Sequence, residues 1–227
     1  MSIFDDQERK GRFLMTGAQQ QRFARKQPVQ ARSKASLTAI LDATVQILST
    51  RRTAHLTTKA IAARAGLSVG SLYQYFPNKD AVVQALIARK AEEVTSAFEE
   101  AACQQRGQTL ASAVCALTST YFATKFCEPQ LSRTLHGALD RSGGTYRLRP
   151  FRERIVRAIE SVLRQAPDAA FRNVQSTAGM IWSAITGAAH LVLEAERPPS
   201  FVASVQREVN EMILAYVKPM MLNGSIA

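Results

Sequence analysis

From Leu37 to Met220 apolar side chains recur at intervals of three and four, and no stretch keeps the two-residue alternation of a half-buried strand. That rhythm commits the chain to helices packed on helices. Leu37, Ile40, Leu41, Thr44, Val45 and Leu48 share one helical face, which predicts a first helix over residues 33–50. Arg51, Arg52 and Thr53 break the pattern as a connection. Thr57 or Thr58 suits the N-cap of a second helix that turns Ile61, Ala62 and Ala65 inward, and Gly66 stands where a left-handed residue ends a helix. Ser68 suits the cap of a third helix, which Pro77 stops beyond Tyr75 or Phe76; Asn78 then caps a long fourth helix, over about 79–102. Five more helical segments follow, over 110–126, 130–139, 149–164, 170–194 and 201–220, punctuated by Gly143–Gly144, Pro167 and Pro198–Pro199. The expected fold is all-α, with about nine helices.

Charge divides this helical chain unevenly. Of the 227 residues 46% are apolar, too many for a disordered chain, and the net charge is +11. Residues 1–80 hold 13 Lys and Arg against 5 Asp and Glu, and residues 81–227 hold 16 against 13. A basic first third and a near-ordinary remainder are what one module for nucleic acid and a second for another task would produce. Residues 1–32, rich in Gln, Arg and Lys without an apolar period, read as a flexible basic arm. Residues 33–93 read as the nucleic-acid module and 94–227 as the second. No secretory leader opens the chain, and the apolar stretch 179–193, which carries Ser183, Thr186 and His190, is too short to cross a bilayer. A cytoplasmic protein without membrane contact is expected. Cys103, Cys115 and Cys127 recur every 12 residues, a 120° step on a helix, without a CxxC pair or a nearby His. They read as inert, partly buried thiols, and neither a disulfide framework nor a metal site is expected. No strand-borne GxGxxG, P-loop or HExxH occurs, and the GxSxG spacing of Gly66–Gly70 is explained by the turn and third helix, so an enzyme is not expected either, and no cofactor is implied.

The segment 58–75, TKAIAARAGLSVGSLYQY, has the organisation of a helix-turn-helix. Ala62 allows close approach of its two helices, while Ile61, Ala65, Leu67 and Leu72 supply the buried contacts. With Leu72 inward and about 100° per residue, Gly70 and Gln74 point outward, flanked by Ser71 and Tyr73. The stripe is small or hydrogen-bonding and free of acid, as a helix entering the major groove requires. Gln74 has the chemistry to pair with adenine, and Val69 to touch a thymine methyl. The missing side chain of Gly70 permits close approach. Thr58, Ser71, Tyr73, Tyr75 and Lys79 suit phosphate contacts; Thr57, Lys59 and Ser68 complete the candidate DNA-binding set.

Residues 57–80, TTKAIAARAGLSVGSLYQYFPNKD, with AILDATVQIL before them, resemble the DNA-binding signature of TetR-family transcriptional regulators. The resemblance covers about residues 33–94, with the motif itself at about 57–76. It places Thr58, Ser71, Tyr73, Tyr75 and Lys79 at backbone-contacting positions, Gly70 and Gln74 near bases, and Phe76 in packing. Ser36 departs from the pattern where Arg is common. The resemblance implies a homodimer that binds a palindromic site on double-stranded DNA, most often as a repressor released by a small molecule. A ligand-independent architectural nucleic-acid binder is the alternative.

The same resemblance implies a helical regulatory domain that dimerises through its last two long helices. Apolar stripes on those helices make Ile181, Ala184, Ile185, Ala188, Val205, Val209, Met212, Ile213 and Tyr216 the interface candidates. Aromatic surface mixed with isolated polar groups makes Tyr121, Phe122, Phe126, Arg133, His136, Trp182, Thr186 and His190 candidates to line an effector cavity, for an apolar or aromatic ligand.

Overall fold

The computed structural model describes residues 17–50, 56–141, 147–194 and 198–221. These form nine α-helices: α1 (Gly17–Ser49), α2 (Thr58–Arg64), α3 (Val69–Tyr73), α4 (Lys79–Gln104), α5 (Leu110–Phe126), α6 (Pro129–Arg141), α7 (Arg149–Gln165), α8 (Val174–Glu194) and α9 (Pro199–Val217). A short 3-10 turn, Lys218–Met220, follows α9. The fold is all-α among the described residues, as the periodicity requires.

Local chemistry accounts for most boundaries. Thr57 Oγ1 accepts from the Ala60 amide at 3.1 Å, Ser68 Oγ from the Ser71 amide at 3.0 Å and Asn78 Oδ1 from the Ala81 amide at 2.8 Å, so each of α2, α3 and α4 opens on a side-chain cap. Gly66 has φ +69°, the left-handed turn that separates α2 from α3. The Leu110 amide at the start of α5 donates to both carboxylate oxygens of Asp168, at 2.9 and 3.2 Å. That buried acid thereby ties the α7–α8 connection to a helix N-terminus, where negative charge is favoured. Asn173 Oδ1 caps α8 at the Ser176 amide, so α8 begins at Val174 and not at the expected residue 170.

One boundary departs further from expectation. α1 begins at Gly17, so residues 17–32 of the expected flexible arm are helical; residues 1–16 lie outside the described residues, as do residues 51–55 and Gly143–Gly144. The segment 17–32 lacks an apolar stripe, so periodicity misses it. Its Ala, Gln, Arg and Lys nevertheless have high helix propensity, and a helix already nucleated by its packed end propagates through them at small cost, with Pro28 the residue that opposes it most.

Two apolar cores result. The first joins Ile40 and Leu48 of α1, Ile61 of α2, Leu72 of α3, Val82 and Leu86 of α4, and Leu131 and Leu135 of α6. The second joins Phe98 of α4 to Phe122 of α5, Ile159 of α7, Ile185 of α8 and Ile213 of α9. At about 1.5 Å per residue, α4 runs for roughly 39 Å and enters both. Arg154 of α7 fixes its far half: the guanidinium grips Glu99 at 2.7 and 2.9 Å and Glu92 at 2.7 Å. Those hydrogen bonds hold both carboxyls below their ordinary range.

α8 is apolar and long enough over Val174–Leu193 to cross a membrane by composition, longer than the stretch expected above. Packing decides its role here, because Ile181, Ile185, Ala189 and Val192 lie in the second core. Substituting Gly66→Ala forces a β-carbon into the left-handed region, and we expect it to cost about 1–2 kcal/mol, read as a lowered midpoint of thermal unfolding.

Candidate functional site

The outer face of the α2–α3 unit is built around one inward anchor. Leu72 is fully buried, which turns the opposite side of α3 to solvent: Val69, Gly70, Tyr73 and Gln74 are all exposed. Lys59 and Lys79 stand exposed at its borders, and no acidic residue occurs between Thr57 and Asn78. Thr58 and Ser71 are half-buried. The Thr58 and Tyr73 hydroxyls lie 3.4 Å apart, which links α2 to α3 at the surface. Tyr75 is half-buried against the first core, so its ring packs while its hydroxyl end is what remains for a phosphate.

Caps claim part of the polar inventory. The hydroxyls of Thr57 and Ser68 accept helix-opening amides, and Ser68 Oγ lies 2.8 Å from Ser71 Oγ. These residues shape the surface first. Gln74, Lys59 and Lys79 are the side chains whose polar ends reach solvent without such a duty. Gly70 has no role inside the protomer: a β-carbon there would meet only Ser68 Oγ, at 3.8 Å, an ordinary contact. Its cost to helix stability, about 1 kcal/mol relative to Ala, is unexplained by the packing of the chain itself.

A cavity of about 580 Å³ lies between α4, α5, α6, α7 and α8. Five of the expected lining residues are in its wall: Tyr121, His136, Trp182, Thr186 and His190. Tyr121 and Trp182 meet edge to face at 5.2 Å, and the rings of His136 and His190 do so at 4.1 Å. Burial pushes the Tyr121 hydroxyl pKa up, which keeps it neutral. The other three expected residues lie elsewhere. Phe122 is buried in the second core against Phe126, at 5.6 Å, and Arg133 donates to Gln130 along α6. On a helix of near-uniform apolarity such as α5, composition does not distinguish a residue facing a void from one facing a neighbour.

Lining residues absent from the expectation include Leu131 and Leu135, which also belong to the first core, and Lys90, which bridges Glu93 at 2.9 Å and Glu128 at 3.0 Å. Lys125 was missed as well. Its position one turn beyond Tyr121 was the available signal, since the two residues share a helix face.

The last two helices turn two faces different ways. Ile181, Ile185, Val205, Val209 and Ile213, expected at a dimer interface, are buried inside the protomer. Met212 and Tyr216 are exposed, and Ala184 and Ala188 are half-buried. Met180 and Leu191, 56% and 54% exposed, extend this outer strip. The strongest apolar stripe served the protomer's own core, and the weaker one beside it is what remains outside. All three cysteines are exposed, where partial burial was expected.

Comparison with known proteins matches two stretches of the chain. Residues 40–86 match the family of bacterial regulatory proteins, tetR family, and residues 109–216 match the tetracyclin repressor-like C-terminal domain. The nucleoid occlusion factor SlmA of Haemophilus ducreyi is 34% identical over 82 residues, 36% of this chain and 40% of that protein. Among solved structures, a TetR-family regulator from Mesorhizobium loti aligns with TM-score 0.66 at 14% identity, covering 84% of this chain and 99% of the other. SmeT, the repressor of the Stenotrophomonas maltophilia multidrug efflux pump SmeDEF, aligns with TM-score 0.61 at 21% identity, covering 84% and 93%. Its complex with triclosan aligns with TM-score 0.60 at 21% identity, covering 85% and 95%.

Because Gly70 has room for a methyl group, Gly70→Ala is expected to leave the fold intact and to raise its stability by up to about 1 kcal/mol in thermal or denaturant unfolding. A loss of stability would show that the site is tighter than its surroundings indicate.

Proposed function

Since the chain belongs to the TetR family of bacterial regulatory proteins, we propose that it is a homodimeric repressor that binds a palindromic operator and is released by a small molecule in its cavity. The observation that carries this reading is the exposed, acid-free stripe Val69–Gly70–Tyr73–Gln74 on α3, bordered by Lys59 and Lys79. α3 enters the major groove with Gly70 against the DNA and Gln74 at a base edge; Thr58, Ser71, Tyr73, Tyr75 and Lys79 take phosphates. Thr57 and Ser68 act chiefly by holding the helix starts, where their amides also face the backbone. The work of this protein lies where bacterial DNA lies, in the cytoplasm.

Dimerisation follows from the outer strip of α8 and α9. Met180, Ala184, Ala188 and Leu191 fall at helical spacings on one side of α8, beside Met212 and Tyr216 of α9. Pairing two such strips makes a four-helix interface and sets two recognition helices against two half-sites.

Release is supported by the double membership of α6. Leu131 and Leu135 are core residues of the DNA-binding module and wall residues of the cavity. A ligand that fills the cavity therefore presses on the packing that orients α2 and α3, and α4 transmits the same displacement through Ile87, which also lines the cavity. By linkage, the ligand weakens operator binding by the factor by which operator weakens ligand binding. SmeT, a repressor of this fold, forms a complex with triclosan, which supports reading the cavity as an effector site. An architectural binder without ligand control has no use for a cavity of about 580 Å³.

Footprinting on the DNA flanking the gene is expected to give one palindromic protected site. Gln74→Ala should relax preference at one base pair per half-site by about 1–3 kcal/mol in anisotropy titrations, while sequence-independent binding persists. An unchanged preference would remove Gln74 from the reading. Met212→Glu, placed on the outer strip, should weaken dimerisation by about tenfold or more in sedimentation equilibrium without loss of helicity.

A further inference from the structure

Among the described residues, the cavity wall contains a cation without a partner. Lys125 lines the cavity on the face of α5 that carries Tyr121. Protein surrounds its side chain on nearly all sides, yet the residue keeps some accessible surface, as a group standing in the wall of a void does. Among the described residues no acceptor pairs with its ammonium. Glu128, three residues on, is engaged by Lys90 at 3.0 Å. The other charges of the wall are largely matched: Lys90 also meets Glu93 at 2.9 Å, and Arg149 meets Glu153 at 2.7 Å. Lys90, Lys125, Arg149 and Arg152 stand against Glu93 and Glu128, so the wall carries more positive than negative charge.

An unpaired ammonium in such a place is costly, and the described residues supply nothing to offset it. Burial accordingly lowers the pKa of Lys125. Resting on the reading of the cavity as the effector site, the geometry points to an amphipathic acid as the effector: a monoanionic head, such as a carboxylate, on the Lys125 ammonium, and an apolar body against Trp182, Leu135 and Ile155. The acid completes a charge pair in surroundings of low dielectric, where it is shielded little by water. A neutral isostere leaves the ammonium unpaired, and a cationic one is repelled. Selection therefore falls on charge, because an apolar wall by itself discriminates poorly between ligands of similar size.

Trp182 is the single tryptophan of the chain and lies in the cavity wall beside Tyr121, so its emission reports occupancy without DNA present. The full chain is titrated at pH 7 with 4-phenylbutyrate, 4-phenylbutanol and 4-phenylbutylamine. The acid is expected to bind about tenfold or more tightly than the alcohol, with the amine weakest. Lys125→Met should abolish the preference for acid over alcohol and leave alcohol affinity within about threefold; Lys125→Arg should retain the preference. The Met variant should fold with an unchanged or higher unfolding midpoint, because it removes an unpaired buried charge at nearly constant shape. Equal binding of acid and alcohol, no saturable response to the acid, or a preference that survives in Lys125→Met would overturn the proposal. Release of operator DNA by neutral compounds alone would do the same while leaving the repressor reading intact. Acid-selective binding that never affects operator affinity would support the ligand class and remove the repressor mechanism.

Discussion

Everything in this protein depends on the fact that α4 is shared. Its first half contributes Val82 and Leu86 to the core that holds α2 and α3, and its second half contributes Phe98 to the core of the larger module. A helix closed by its own hydrogen bonds resists bending, so a displacement at one half is carried to the other. Polar ties fasten it along the way. Arg89 reaches Asp42 of α1 at 2.7 Å, Lys90 reaches Glu128 ahead of α6, and Arg154 of α7 grips Glu92 and Glu99. Exposed pairs of this kind add little stability each; their effect here is geometric, fixing the angle at which α4 leaves one core and enters the other.

The cavity sits beside that shared helix, and α6 closes it with residues that already belong to the other core. Leu131 and Leu135 belong to the first core and also line the open space. Close-packed interiors do not deform continuously, so the proposed release rests on a second arrangement of those leucines and not on a softened first one. The outer face of α3 is left unencumbered by this. The helix starts around it are held by Thr57, Ser68 and Asn78, whose side chains are spent on caps, and the exposed stripe between them has no internal partner to lose.

Much of this is legible in the sequence. Helix starts at Thr58, Val69 and Lys79 are local events, decided by a capping oxygen three residues from the amide it accepts, and the Gly66 turn is decided by one missing β-carbon. The inward position of Leu72 fixes its neighbours by the 100° step. Less was legible where a helix is apolar on more than one side. On α8 and α9 the prominent stripe of Ile181, Ile185, Val209 and Ile213 was assigned to a partner subunit, yet it packs within the protomer. On α5 the aromatic run hid the difference between Phe122, which meets the core, and Lys125, which meets the void. The segment 17–32 escaped because helix propensity without an apolar face leaves no period to detect.

The sequence by itself determined the helices, the charge gradient and the exposed, acid-free stripe of α3, because each depends on contacts within about four residues or on composition. Only the tertiary structure decided which apolar faces meet each other, where a space is left between them, and that the Lys125 ammonium stands in its wall. Those outcomes depend on residues brought together from α4, α5, α6, α7 and α8, and a cavity is a property of the gap between elements, to which no single element's periodicity refers.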